Sequence, residues 1–247
     1  FDLVFSDKKR IVNSQNQREN VFVYHADKTF SNIDITEAIK QRITNPLHTQ
    51  GTGGIQGKLI KRSIISQNNL SFEEELRFSE DEVFMFDVLA FTRSMKYVRK
   101  QLYTYNINAN QNVISARTEA FFYPFPISCF KLIKNHAQNS FDQRGLSAQE
   151  SEKLGDQAFI YWIIYALVSY TLSMIRGKVE LENGIQCRRK IIKDILADTN
   201  VSKAIRNYSR SQEESSWIPR AIAWRSRKLL ELACNRRAKQ ILRRRKD

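Results

Sequence analysis

The sequence predicts a mixed α/β part followed by a mostly helical region. Three observations predict it. Up to about residue 117, short β-rich runs alternate with amphipathic helical patterns. Beyond that point the strand signals fade and four long helical patterns follow. Within the α/β part, four glycines fall in the seven residues Gly51–Gly57, which marks a loop that moves or approaches something closely. The expected division is 1–117 as the α/β part, 118–212 as a helical subdomain and 213–247 as a basic amphipathic helix.

The elements follow in order. Phe1–Phe5 and Val21–Tyr24 are strand-forming runs around a polar loop rich in Asn and Gln. Asp34 or Thr36 is placed to cap a helix through about Thr44, with Ile35, Ala38, Ile39 and Ile43 on one face and Asn45-Pro46 ending it. Ser79 is a good N-cap for a helix over 80–91, with Glu82 as its capping-box partner. Lys96–Arg99 and Leu102–Asn106 are two short β-like runs. A helix from Glu119 toward Asn139 is disturbed by Pro124 and Pro126. Further helices are expected from Ala148 to about Arg176, over Ile185–Ala197, and from Trp217 to Arg244. Ala158–Ile175 holds 18 residues without a charge, the lower edge of transmembrane length. Its Tyr, Ser and Thr residues favour a buried helix over a membrane span.

With 247 residues, 42% hydrophobic and 27% charged, the chain is neither disordered nor collagen-like. Cys129, Cys187 and Cys234 form no CxxC pair and no Cys/His cluster, so no zinc site or disulfide framework is expected and a reduced, cytoplasmic setting is the simpler reading. Phe1–Phe5 is too short and too acidic for a signal peptide. It reads as a strand entered without a preamble, so the chain is expected to begin inside a larger protein. The net charge is +14, and Arg176–Asp247 holds 20 basic and 8 acidic residues. Such a basic tail points to an anionic partner, either a membrane surface or nucleic acid. Ile218, Ala221, Ile222, Leu229, Leu232 and Ala233 fall on one arc of the last helix. Trp217, Trp224, Arg243, Arg244 and Arg245 are the candidate contacts to an anionic membrane. The alternatives are a helix packed within the protein with a solvated basic face, and nucleic-acid binding, for which no helix-turn-helix, zinc-finger or RNP pattern is present.

Candidate chemistry centres on Ser79-Glu80-Asp81-Glu82. Acidic residues at a helix start cap it and complement its dipole. A carboxylate there can equally project toward a substrate as a general base. The Gly51–Gly57 loop lacks the GxxxxGK[ST] spacing of a nucleotide-phosphate cradle.

The order of several segments carries a resemblance. Gly57-Lys58-Leu59-Ile60-Lys61-Arg62 is followed by Leu70-Ser71-Phe72, Phe78–Phe84, Leu102–Ile107 and Val113–Arg117. Together they resemble the "KLYKR", "F.EDe.F", "lYyYri" and "SI(S/T)" segments in the second half of bacterial family 2 glycosyltransferases, over roughly Phe1 to Arg117. The resemblance implies a partial GT-A (Rossmann-like) catalytic domain on the acceptor side. It also implies inverting transfer of a sugar from a nucleotide-sugar donor to a saccharide or lipid-linked acceptor, in capsule, lipopolysaccharide or exopolysaccharide synthesis. Asp81 would be the catalytic base with Glu80 beside it, and Gly57, Lys58, Lys61 and Arg62 would line the substrate cleft. The family holds a divalent metal, Mg or Mn, through an Asp-x-Asp motif in a nucleotide-binding half that would precede Phe1. This chain contains no Asp-x-Asp, and Gln56-Gly57 stands where the family places a Trp. As an isolated chain it is therefore expected to be inactive, and the intact enzyme is expected on the inner face of the cell membrane. The competing class is a non-enzymatic, basic, peripheral membrane-binding or interaction module.

Overall fold

The computed structural model describes residues 1–12, 17–20, 24–44, 53–76, 79–106, 126–177, 181–210 and 215–244. It is mixed α/β and divides into two compact units: Phe1–Gln111 with His136–Ser151, and Asn112–Asn135 with Glu152–Asp247. The polypeptide enters the second unit, returns to the first and leaves it again.

The first unit holds β1 (Leu3–Val12), β2 (Gln17–Asn20), β3 (Lys28–Phe30), α1 (Asn32–Thr44), β4 (Lys58–Ile60), α2 (Arg62–Gln67), α3 (Glu80–Phe91) and β5 (Met95–Asn106). β5 runs parallel to β1, from Leu3 opposite Met95 to Ile11 opposite Asn106. The other edge of β1 is shared: β4 pairs antiparallel with Leu3–Phe5, and β2 pairs antiparallel with Lys9–Val12. β3 lies antiparallel on the far side of β5, with Phe30 opposite Met95.

Two strand expectations need correction. Of the polar run expected as a loop, 6–12 extends β1 and Gln17–Asn20 forms β2, while Tyr24 lies outside any strand and 13–16 and 21–23 lie outside the described residues. Ladder hydrogen bonds come from the backbone, and β5 offers β1 a partner along its length whatever the side chains. The two runs at Lys96–Arg99 and Leu102–Asn106 are one strand. Its register slips where the sequence suggested a break: Ser6 faces Val98, Asp7 faces Gln101 and Lys8 faces Tyr103. Arg99, skipped by that ladder, donates its amide to Asp27 Oδ1 at 2.8 Å.

Leu3, Phe5 and Asp7 are buried on one face of β1 at the two-residue period of a strand. Phe5 sits 5.9 Å from Phe30 and 5.2 Å from Tyr97, and Tyr24 lies 5.6 and 5.1 Å from the same two rings. Asp7, 1% exposed, continues this apolar face with a carboxylate, to which the Tyr97 hydroxyl donates. Burial and the Asp7 carboxylate push the Tyr97 phenol up to about 12.

α1 buries Ile35, Ala38, Ile39 and Ile43, as its periodicity predicts. Its cap is Ser31 rather than Asp34 or Thr36. The Ser31 amide and hydroxyl donate to Asp34 Oδ2 at 2.9 and 2.6 Å, and Asp34 N donates to Ser31 Oγ at 3.3 Å, a reciprocal capping box.

The remaining helices are α4 (Ile127–Gln143), α5 (Ala148–Ile175), α6 (Leu181–Ala197), α7 (Thr199–Ala204), α8 (Trp217–Ala223) and α9 (Arg227–Arg244). α4 starts after Pro126, whose carbonyl accepts from Cys129 N at 3.0 Å; 119–125 lie outside the described residues. Within the first unit, the last two turns of α4 and the residue after it supply His136 and Arg144. Arg144 donates to Thr36 Oγ1 (2.7 Å), to the Leu89 and Thr92 carbonyls (2.6 and 3.0 Å) at the end of α3, and to Asn32 O and Oδ1 (2.5 and 2.7 Å) at the start of α1. Burial pulls its pKa down to about 10.

By length and composition α5 could cross a membrane, and 67% of its most apolar stretch is buried inside the protein. Two of its buried polar side chains are fully engaged with protein partners. Asp156 accepts from Lys134 Nζ (2.6 Å) and Asn207 Nδ2 (2.7 Å), and Gln157 exchanges two hydrogen bonds with the Ser209 backbone.

The helix expected over Trp217–Arg244 is broken in two. Arg225 takes φ +51°, Arg225 N donates to Ile222 O, and Ser226 N donates to Ala221 O, the paired bonds of a Schellman stop with Arg in the glycine position. Ser226 then opens α9: its carbonyl accepts from Leu230 N at 3.0 Å. The break shifts the helical phase, so the single apolar arc does not form. Ile218, Ala221 and Ile222 are buried on α8 and Leu230, Ala233, Cys234 and Ala238 on α9, while Leu232 is 65% exposed.

Candidate active site

The sequence places three acidic residues in the first turn of α3, and Gly53–Gly57 lies over that turn. Ser79 occupies the expected N-cap position but does not cap the helix through its side chain. It sits in the left-handed region at φ +58°, and its side chain makes no capping bond. Only its carbonyl serves the helix, accepting from Val83 N at 3.0 Å. Glu82 is not a capping-box partner either. Arg42, in the last turn of α1, takes it in a largely buried ion pair through both Nε and Nη2. A charged partner at fixed geometry outcompetes a lone backbone amide for a carboxylate.

With Glu82 committed to Arg42 and no side-chain cap in place, Asp81 is directed elsewhere. Its carboxylate is half-buried and accepts from Gln56 Nε2 at 3.3 Å. Gly54 is buried beside it, at φ +58°. A Cβ at Gly54 would fall 3.0 Å from Asp81 Oδ2 and 2.8 Å from Gln56 Oε1, so this approach requires a glycine. Gly57, at φ +73°, turns the chain into β4; a Cβ there would come within 3.4 Å of Tyr103 Cβ and 3.6 Å of Ser6 Oγ. Ser6 N also donates to Gly57 O at 3.1 Å, fixing the segment against β1.

The structure thus brings together Asp81, Gln56, Gly54, Gly57 and Lys58. The Lys58 ammonium donates to the carbonyls of Gly53 (2.8 Å) and Gly54, and so holds the glycine turn closed. Lys61 and Arg62 lie beyond the other end of β4 and are exposed; Lys61 Nζ is 3.8 Å from Asp2 Oδ1. Glu80, the first residue of α3, is half-buried. Phe78 and 107–125, with the Val113–Arg117 segment, lie outside the described residues. Gln56 and Arg42 were not legible as site residues. Their roles depend on partners 25 and 40 positions away in the sequence.

A second acidic cluster lies further along α3. His136 Nδ1 is 2.8 Å from Asp87 Oδ1, and its Nε2 is 3.5 Å from Glu73 Oε2. The Asp87 hydrogen bond, with Glu73 beyond it, raises the His136 pKa against the opposing effect of burial. Among the described residues no group of three or more His, Cys, Asp or Glu side chains could hold a metal ion. The divalent ion implied by the resemblance therefore has no ligand set among them.

At the other end of the chain, Trp217 is 43% and Trp224 64% exposed, and the Arg220 guanidinium stands 5.7 Å from the Trp217 ring centre. Arg243 is exposed; Arg245 and the Arg244 side chain lie outside the described residues. No family model matches this chain, and no curated protein matches it.

Proposed function

We propose that the first unit is the acceptor-side part of an inverting, GT-A-like glycosyltransferase, with Asp81 as the general base. One observation carries the reading: at a helix start where capping was the alternative, the Asp81 carboxylate faces the glycine turn instead. A sugar hydroxyl is a weak nucleophile, and a positioned carboxylate takes its proton as the oxygen attacks the anomeric carbon of a nucleotide-sugar. Gln56 orients Asp81, Lys58 holds the turn, and Gly54 lets the turn approach the carboxylate closely. Lys61 and Arg62 remain candidate contacts for a charged substrate. The test is sugar transfer from nucleotide-sugars by the full-length encoded protein. Asp81→Asn is expected to lower kcat by roughly 10²–10⁴-fold with an unchanged unfolding midpoint. Retained turnover overturns the assignment.

The competing reading, a basic binding module, is favoured by a different observation. Of the 40 basic and 26 acidic residues, 24 and 11 belong to the second unit, so it holds a net +13 of the +14.

A further inference from the structure

The solvent face of α9 is unusually ordered in its chemistry. At about 100° per residue, Lys228, Leu232, Arg236, Lys239 and Arg243 fall within an arc of about 80° along about 22 Å of helix. All five are exposed. The opposite face, with Leu230, Ala233, Cys234 and Ala238, is buried in the second unit. Glu231, the one acidic residue in α9, lies off the row, 3.9 Å from both Arg189 Nε and Arg227 Nε. The row is thus four cations around one large aliphatic side chain, with no carboxylate among them. Trp224 sits in the turn that leads into it, 64% exposed.

We infer that this row is a docking surface for an anionic phospholipid bilayer, on which α9 lies with its apolar face kept inside the protein. This goes beyond the transferase reading and does not depend on it. It also differs from an inserting amphipathic helix, because the helix's own apolar face is already occupied. Cations alone would suit any polyanion. Leu232 within the row and an exposed Trp in the turn that leads into the helix favour a lipid interface, where each gains by leaving water. A nucleic-acid backbone gives Leu232 nothing.

The test is co-sedimentation of the full chain with vesicles of phosphatidylcholine containing about a third phosphatidylserine. Binding is expected at low salt, weaker at high salt, and absent with phosphatidylcholine alone. At about 1 kcal/mol, or about fivefold, per cation, replacing Lys228, Arg236, Lys239 and Arg243 by Gln is expected to lower affinity on the order of several hundredfold. The replaced side chains are exposed, so folding is preserved. Leu232→Ser is expected to lower it severalfold, up to roughly tenfold. A control replacing the exposed Lys190, Lys193, Lys203 and Arg206 removes the same charge elsewhere in the unit and is expected to retain most of the binding. An equal loss in that control overturns the proposal, because net charge would then explain the binding. Vesicle affinity indifferent to Leu232→Ser, with tighter binding to duplex DNA at the same salt, also overturns it.

Discussion

Ser79 and Gly54 adopt the same backbone angle, φ +58°, on either side of Asp81. For an L side chain that conformation costs about 1–2 kcal/mol. Ser79→Gly is therefore expected to raise stability by roughly 0.5–1 kcal/mol, after allowing for the greater entropy of an unfolded glycine. Gly54→Ala is expected to lower it by about 1–2 kcal/mol and to push Gln56 away from Asp81. Urea midpoints at constant m-value measure both. The strain at Ser79 stands directly before Glu80-Asp81, where stored strain is commonly functional. Sequence spacing alone could not find it, because Ser-x-x-Glu reads as a capping box until Arg42 is known to take Glu82. His136 gives a second test at this scale. Its native pKa is raised above the unfolded value of 6.5, so its stabilising contribution is complete below about pH 6.5 and is lost as pH climbs through the raised native value. Denaturation from about pH 6 to pH 9 is expected to show stability falling in the wild type, and that fall is expected to shrink in His136→Gln.

Among the elements, Arg144 connects what the sequence leaves separate. It binds the carbonyls that end α3 and the residue that begins α1, and those acceptors lie between 52 and 112 positions away. The sequence identified both helices and the four buried residues of α1, because a local period encodes them. It did not identify the clamp, because a lone Arg after a helix is usually a solvated one. Arg144→Met is expected to cost roughly 3 kcal/mol or more, since charge-assisted bonds are lost and buried carbonyls are left unpaired. A lysine at this position is expected to recover little, because one ammonium cannot span acceptors arranged for a planar fork. Unfolding of the two variants by urea measures this. The same contrast explains the strands and the tail. β1 and β5 are paired by backbone, so polar side chains hid the length of one and a register slip split the reading of the other. The stop at Arg225 is not legible in the sequence because glycine is the usual signal for it.

For the whole molecule, the mixed α/β class and the order of most helices were legible, while the path of the chain between units was not. Periodicity reports which residues are buried, not which neighbours bury them. The charge divided more clearly: the first unit is close to neutral at +1, and nearly all of the excess sits in the second. The path has a consequence for synthesis. The first unit contains residues up to Gln111 and then His136–Ser151. At roughly 5–20 residues per second, about 2–7 s separate the emergence of Gln111 from that of Arg144. Throughout that interval the paired strands exist without the arginine that holds α1 to α3, and the first turns of α4 emerge before the long helix that follows them. The nascent chain therefore passes through a stage with its sheet formed and its helices unsecured. That is the stage at which a chaperone, or a second nascent copy, has most apolar surface to meet.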